Sequence, residues 1–530
     1  MKTLTVFVAL ASLCLNTGCP GKSSTGVPPK PGPAATESND QKCSEFIQSV
    51  LDIFQLDRLG IKSSLADGVQ LLNQWQRDCG RQVALDFPAL DESATRLFTP
   101  AQIDQLKAER FSIQDGERLR DCVLFRKVSE YAVGSAENDL GRVLNVFDHV
   151  VRNIDVVPNH YENLPLTPYE CYVLGSGTVE DRAWIFIGIL RQLKIDAVIL
   201  SPKRADTTNV AATGGSIGSP FLVGVVLNDD VYLFDPRFGL PVRPASGGAA
   251  EVATLTQVLS EPTLLKQFDL DAGHPSPHSA DELREPQVEI VGDSSLFSAR
   301  MRIVQSQFSG KQASVVSDPL QDVDGNPGLL GRVSKAGAKH WQPGAVRLWS
   351  YAESQLAAYA RLNEDQNGKL AGLKAVWDAP RVVERAEAGA AVRRKKLIQA
   401  RMAQVSGDYE NAINWYGLVR LTTPVRPGSI DQFVNKQAAD NAFFWKGICQ
   451  YERGDYAGAA DTFEKYLKPS APGLWQAACR YQLARSQAAT GNFAAAIKTL
   501  EETPETDYRR QGHSLLIREW KRKLKERFDG

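Results

Sequence analysis

The sequence predicts a multidomain chain in which an α+β core with a helical N-terminal region is followed by an all-α domain of helical repeats. Three observations predict it. An apolar run beginning at Trp184 leads through Arg191-Gln192-Leu193 into Ala197-Val198-Ile199-Leu200, a buried helix turning into a buried strand. The next two apolar runs, 221–227 and 231–236, flank the polar turn Asn228-Asp229-Asp230 and read as a β-hairpin. Further on, Gly407-Asp408-Tyr409, Gly454-Asp455-Tyr456 and Gly491-Asn492-Phe493 recur, which marks internal repeats.

The chain has 530 residues, long enough for several domains, and 43% of them are hydrophobic, enough for substantial cores. Lys+Arg (61) and Asp+Glu (62) nearly cancel, which argues against the basic surface that a nucleic-acid partner would require. The sequence has no CxxC pair, no HExxH and no GxxxxGK[ST], so neither a metal nor a nucleotide cofactor is expected.

Taken in order, Met1-Lys2 precedes an apolar run, 4–15, too short to anchor across a bilayer and suited to an export signal. It ends at Leu15-Asn16-Thr17-Gly18-Cys19, which resembles a bacterial lipoprotein signal with Asn16 where that class has Leu. The resemblance implies cleavage after residue 18, lipidation of Cys19 and attachment to the cell envelope, facing the periplasm or the surface. A plain exported form stays open. Residues 19–41, rich in Pro, Gly and Ser, read as a tether.

Residues 42–134 read as a helical region packed on the core. Phe46, Val50, Leu51 and Phe54, then Leu65, Val69, Leu72 and Trp75, recur at helical spacing on either side of a short link, giving an antiparallel hairpin. Cys43 opens the first helix and Cys79 closes the second. Both lie at one end, where Cα atoms can approach to the roughly 4.4–6.8 Å that a disulfide needs, and an exported chain permits the bond.

Residues 135–317 form the expected core. Gly177-Thr178-Val179-Glu180-Asp181-Arg182-Ala183-Trp184, the strand that follows and Asp235-Pro236 resemble the transglutaminase-like, papain-related fold, as does the helix at 140–154. In that family a helix begins Gly-x-Cys-x-Asp/Glu-x-Ala, a strand carries His near its start, and the next strand ends in Asp-Pro. Gly177, Asp181, Ala183 and Asp235 match. Val179 stands at the nucleophile, and Pro220, or at most Ser219 or Phe221, at the His. Acyl transfer requires a thiolate, an imidazole to generate it and a carboxylate to orient the imidazole, so the resemblance implies a core without its chemistry.

The remainder of this region reads less regularly. A helix is expected over 254–268, and His274 and His278 fall in a Pro-rich exposed loop unsuited to metal binding. Strand, helix and strand are expected at 287–291, 294–308 and 313–316, and residues 318–344, rich in Gly and Asp, read as the domain linker. Asn363 to Gly368 places oxygen ligands as an EF-hand loop would, but Lys374 occupies the twelfth position, so a polar turn ending a helix is the better reading.

Residues 345–530 form the repeat domain. Each Gly-Asp/Asn-aromatic turn is followed by a small residue, Ala412, Ala459 or Ala496, and then a large one, Tyr416, Phe463 or Leu500. This resembles tetratricopeptide repeats, with an insertion at 422–431 in the first unit and a capping helix at 507–528. The resemblance implies that the first helices of each pair, roughly 392–405, 440–453 and 475–490, line a concave groove. Arg394, Lys395, Gln404, Lys446, Gln450, Arg480 and Gln487 are the expected groove residues for a protein or peptide partner.

The leading function is a non-catalytic, envelope-anchored scaffold. Two alternatives remain: a cysteine-dependent acyltransferase or peptidase that uses Cys171 with His160, and a module whose cleft, floored by Val179 and rimmed by Asp235 and Arg182, holds a cell-wall peptide or glycan without cutting it.

Overall fold

The structure is a computed structural model that describes residues 39–56, 64–79, 92–157, 164–203, 220–245, 251–308, 310, 313–323, 325–378, 380–384, 393–419, 428–468, 473–504 and 507–529. The expected signal and the expected tether as far as residue 38, with Cys19, lie outside the described residues, as do His160 and Ser219, whereas residues 39–41 belong to the first helix.

Helices Asn39–Ile53 and Leu65–Cys79 pair as a hairpin. Their apolar stripes are buried, with Val50, Leu51 and Phe54 facing Leu72 and Trp75. Gly68 is required here, because a Cβ would lie 2.6 Å from the Phe54 ring. Cys43 and Cys79 are bonded, with Cα atoms 5.4 Å apart. The hairpin packs on Ile113–Ala132, whose start is fixed reciprocally by Ser112 and Asp115, each side chain bonding the other residue's N–H.

The six-stranded sheet runs Leu240–Pro241, Asp230–Asp235, Leu222–Leu227, Ala197–Ser201, Gln287–Ile290, Val346–Leu348 in spatial order. All neighbours are antiparallel except the last pair. Asn228 and Asp229 both have positive φ, 52° and 61°, as a two-residue turn matched to the twist of its strands demands. Alternation divides the sheet into two faces. Ile199, Val223, Val225 and Phe234 meet helices Ile113–Ala132, Asp139–Asn153 and Val179–Gln192. Val198, Leu200, Leu222, Val231 and Leu233 meet Leu255, Val258 and Phe268 on the other side.

Four expectations for 254–344 change. The stretch 254–268 is an α-helix, Leu255–Ser260, followed by a tighter 3-10 helix, Pro262–Phe268; the helix expected over 294–308 is two, Ser294–Phe297 and Ala299–Gln305, with Ser298 extended between them; and residues 313–316 form no strand. The stretch expected as a linker belongs to the sheet layer: Leu329–Ala336 is a helix with Leu329 and Val333 buried, Trp341 is buried, and Val346–Leu348 joins the sheet edge. Two of its glycines serve packing: a Cβ on Gly337 would lie 1.7 Å from the Trp341 indole, and one on Gly328 would lie 2.2 Å from the Gln321 backbone. The polar segment at 363 starts a helix rather than ending one, with the Asn363 carboxamide oxygen accepting from Gln366 N at 2.8 Å ahead of Glu364–Asp378.

The repeats are three helix pairs, Leu397–Val405 with Tyr409–Gly417, Ile430–Glu452 with Tyr456–Leu467, and Gln476–Ala489 with Phe493–Glu501, followed by Arg510–Asp529. The recurring tripeptide has a physical reading. Gly407, Gly454 and Gly491 take φ of 78°, 79° and 83°, which disfavours any residue with a Cβ, and Asp408, Asp455 and Asn492 then cap the second helix. Ala412, Ala459 and Ala496 are fully buried at the helix crossings, and Phe463 packs where Gly447 leaves room. The helix of the second pair is longer than expected, starting at Ile430. The array is not separated from the sheet domain, because one apolar core runs from Ile47 through Phe186 to Phe463 and Cys479.

Candidate functional site

The helix Val179–Gln192 is capped by Thr178 and Asp181 in a reciprocal box, so the acidic residue of the family pattern here fixes the helix start. Tyr351 also donates to Asp181 at 2.9 Å. Burial raises the Asp181 carboxyl to about 6. Val179, which the sequence resemblance sets at the nucleophile position, is half-buried in the first turn. Pro220 is half-buried just before its strand, and Phe221 is buried against Trp349. Neither supplies a base.

Cys171 does not replace the nucleophile. It lies in Pro168–Leu174 with no exposure, and burial together with the neighbouring Asp181 pushes its thiol well above the ordinary value, which keeps it protonated and inert.

Asp235 does have an imidazole partner, one the sequence reading placed in an exposed loop. His278 Nε2 lies 2.7 Å from Asp235 Oδ2, and both side chains are buried. Of the two histidines of that loop, His274 is the exposed one, beside Asp271. The pair nevertheless stands on the wrong side of the sheet for acyl transfer. Asp235 continues the alternation of Val231 and Leu233 toward Phe268, which meets the His278 ring edge-on, whereas the helix bearing Val179 packs on the face of Phe234. The other Asp235 oxygen accepts from the N–H groups of Arg237 and Phe238 at 2.7 and 2.9 Å. The dyad therefore locks a turn and a loop together. It does not rim the cleft as the sequence suggested.

The first helices of the repeats turn one face onto the core. Arg401, fully buried, donates from Nη2 to the Tyr172 carbonyl at 2.6 Å and lies 3.5 Å from the centre of the Trp445 ring. Trp445 in turn covers Gly175, where a Cβ would come within 2.1 Å of it. Glu452 accepts from His149 Nδ1 and Arg152 Nη2, each at 3.1 Å, and Arg485 pairs with Asp148. Gln482 Nε2 donates to the Arg152 carbonyl at 3.0 Å. Against burial, which opposes charge, Arg152 and His149 hold the Glu452 carboxyl down to about 2. Burial likewise opposes charge on His149, but Tyr172 and Glu452 raise it to about 9. Reading the sequence missed these residues; the run Phe444-Trp445, two large aromatics side by side in one helix, was the available signal.

This docking corrects the expected groove. Arg394 and Lys395 lie on the strand Arg393–Lys396, paired with Pro380–Glu384, because the helix begins only at Leu397. The three glutamines are spent within the repeats: Gln404 accepts from Tyr416 at 2.9 Å, Gln450 from Thr462 at 2.6 Å and Gln487 from Thr499 at 2.8 Å. Each bond joins the first helix of a pair to the second. Lys446 and Arg480 are half-buried and, among the described residues, make no hydrogen bond or ion pair.

Between core and repeats lies a cavity of about 400 Å³, with Val179 and Arg182 on the core wall and Tyr481 and Gln482 opposite. Among the described residues no cluster of three or more His, Cys, Asp or Glu could hold a metal ion.

Known proteins bear on the repeats alone. Residues 405–503 match the family model ANAPC3, described as anaphase-promoting complex, cyclosome, subunit 3. No curated protein and no solved structure matches the chain. The match and the paired helices together show a C-terminal tetratricopeptide-like helical array beside a small sheet, a kind of fold that fits protein partners.

Proposed function

We propose that the chain is a non-catalytic scaffold: a transglutaminase-like domain without its chemistry, held rigidly against repeats that capture a protein partner. The observation that supports this reading is that Val179, set by the resemblance at the nucleophile position, starts a helix on one face of the sheet while the Asp235–His278 pair lies on the other. The helix, strand and hairpin order supports the transglutaminase-like assignment, on which this silence rests. The partner meets the repeats around Lys446 and Arg480, cations that make no hydrogen bond or ion pair among the described residues. The export signal ending at Cys19 supports attachment to a bacterial envelope by a lipid anchor.

The test is turnover. Purified protein incubated with peptide and glutamine substrates should give no hydrolysis or transamidation above buffer. Activity abolished by Cys171→Ala would overturn the reading in favour of a cysteine enzyme.

A further inference from the structure

One guanidinium lining the cavity between core and repeats has no carboxylate in ion-pair contact among the described residues. The cavity walls carry four guanidinium groups, of Arg152, Arg182, Arg237 and Arg509, and two carboxylates, of Asp155 and Glu180. Arg152 is matched by Glu452, and Arg509 lies 2.5 Å from Asp155. Arg182 differs. It is buried at 6% exposure, and among the described residues its partners are carbonyls only: Nη1 donates to Pro236 at 2.9 Å, and Nε and Nη2 both donate to Ile154. Burial lowers its pKa without removing its charge. An Arg has five N–H donors in a planar fork that suits a carboxylate, and here three donors hold the fork in place.

The rest of the lining suits an apolar frame. Phe238 and Val179 stand on the core side, with Phe444, Tyr481 and Tyr508 on the repeat side. Tyr481 is itself fixed by stacking on His513, with ring centres 5.4 Å apart. The volume of about 400 Å³ falls in the roughly 300–1,000 Å³ range of small-molecule sites.

We propose that this cavity binds the free C-terminal carboxylate of a short peptide, seated on Arg182, with an apolar or aromatic side chain packed against Tyr481 and Phe238. The site uses the cleft that the lost nucleophile would have served and closes it with the repeats. Burying a carboxylate beside a guanidinium that lacks an anionic partner offsets the cost of that buried charge, which is what selects an anion over a neutral ligand.

The experiment titrates the full chain with acetyl-Ala-Phe and with its C-terminal amide by calorimetry. The acid should bind and the amide at least tenfold more weakly. Val179→Trp, which fills the cavity and leaves Arg182 and its carbonyl partners in place, should abolish binding without lowering the melting temperature. Arg182→Met should also lose the acid, although it strips two carbonyls of their donors and so is read only together with the Trp variant. Absence of binding by the acid, equal binding of acid and amide, or full binding by Val179→Trp would each overturn the proposal.

Discussion

Replacing Glu452 by Gln tests the junction between core and repeats. The carboxylate is buried and accepts from His149, Arg152 and Asn153, the last at 3.3 Å. Its fall from an ordinary 4.5 to about 2 corresponds to about 3 kcal/mol of stability that is present above pH 4.5 and lost as pH falls through about 2. His149 shifts the other way, from 6.5 to about 9, so its contribution is complete below pH 6.5 and lost as pH rises through about 9. The two shifts describe one interaction and are not added. Wild type should therefore be most stable between about pH 4.5 and 6.5 as far as this pair is concerned, then lose about 1.4 kcal/mol per pH unit toward pH 9. In Glu452→Gln the imidazole has lost its anion and burial keeps it neutral, so stability should drop by about 3 kcal/mol at pH 5.5 and the alkaline slope should vanish. Urea unfolding followed by tryptophan fluorescence from pH 5 to 9.5 measures both. Parallel profiles for the two proteins above pH 6.5, or a loss at pH 5.5 below about 0.5 kcal/mol, the size of an ordinary surface change, would refute the reasoning.

Two further outcomes follow from the backbone. Cys43 and Cys79, 36 residues apart, should resist alkylation in unreduced, denatured protein, and reduction should cost roughly 3–4 kcal/mol on the chain-entropy model; two alkylated thiols would count against the bond. Gly454→Ala meets nothing within 4 Å but must hold φ near 79°, so it should cost roughly 1–2 kcal/mol, whereas Gly447→Ala must displace the Phe463 ring and should cost more; thermal melts that reverse this order would discredit the packing described for the second pair.

Features that depend on near neighbours were legible in the sequence. The repeat turns could be read because Gly at positive φ, an Asx cap, a small residue and a large one all lie within ten positions of one another. The hairpin at Asn228-Asp229 was legible for the same reason. His278 was not, since it reaches Asp235 only when a Pro-rich loop folds over Phe268, and a loop's polarity says nothing of where it docks. The stretch 318–344 was not legible because glycine marks flexibility and close contact alike in a sequence, and Gly328 and Gly337 are close contacts, the latter under Trp341. The glutamines carried a readable signal, a hydroxyl twelve positions on in all three pairs, but a polar residue on a helix was taken to face a partner. The docking of Arg401 and Trp445 onto Tyr172 and Gly175 joins segments more than two hundred residues apart and has no local signature.

Partner capture tests the scaffold most directly. Lys446 and Arg480 are half-buried cations with no hydrogen bond or ion pair among the described residues, and exchanging both for Glu reverses the charge offered to a partner while leaving the Glu452 and Arg401 contacts in place. Crosslinking of wild type and of the Lys446→Glu, Arg480→Glu double variant in the cells that produce the protein, read by mass spectrometry, is the measurement. A partner crosslinked to wild type should be lost from the variant while the melting temperature stays nearly unchanged; the same partner at wild-type levels on the variant would contradict the account.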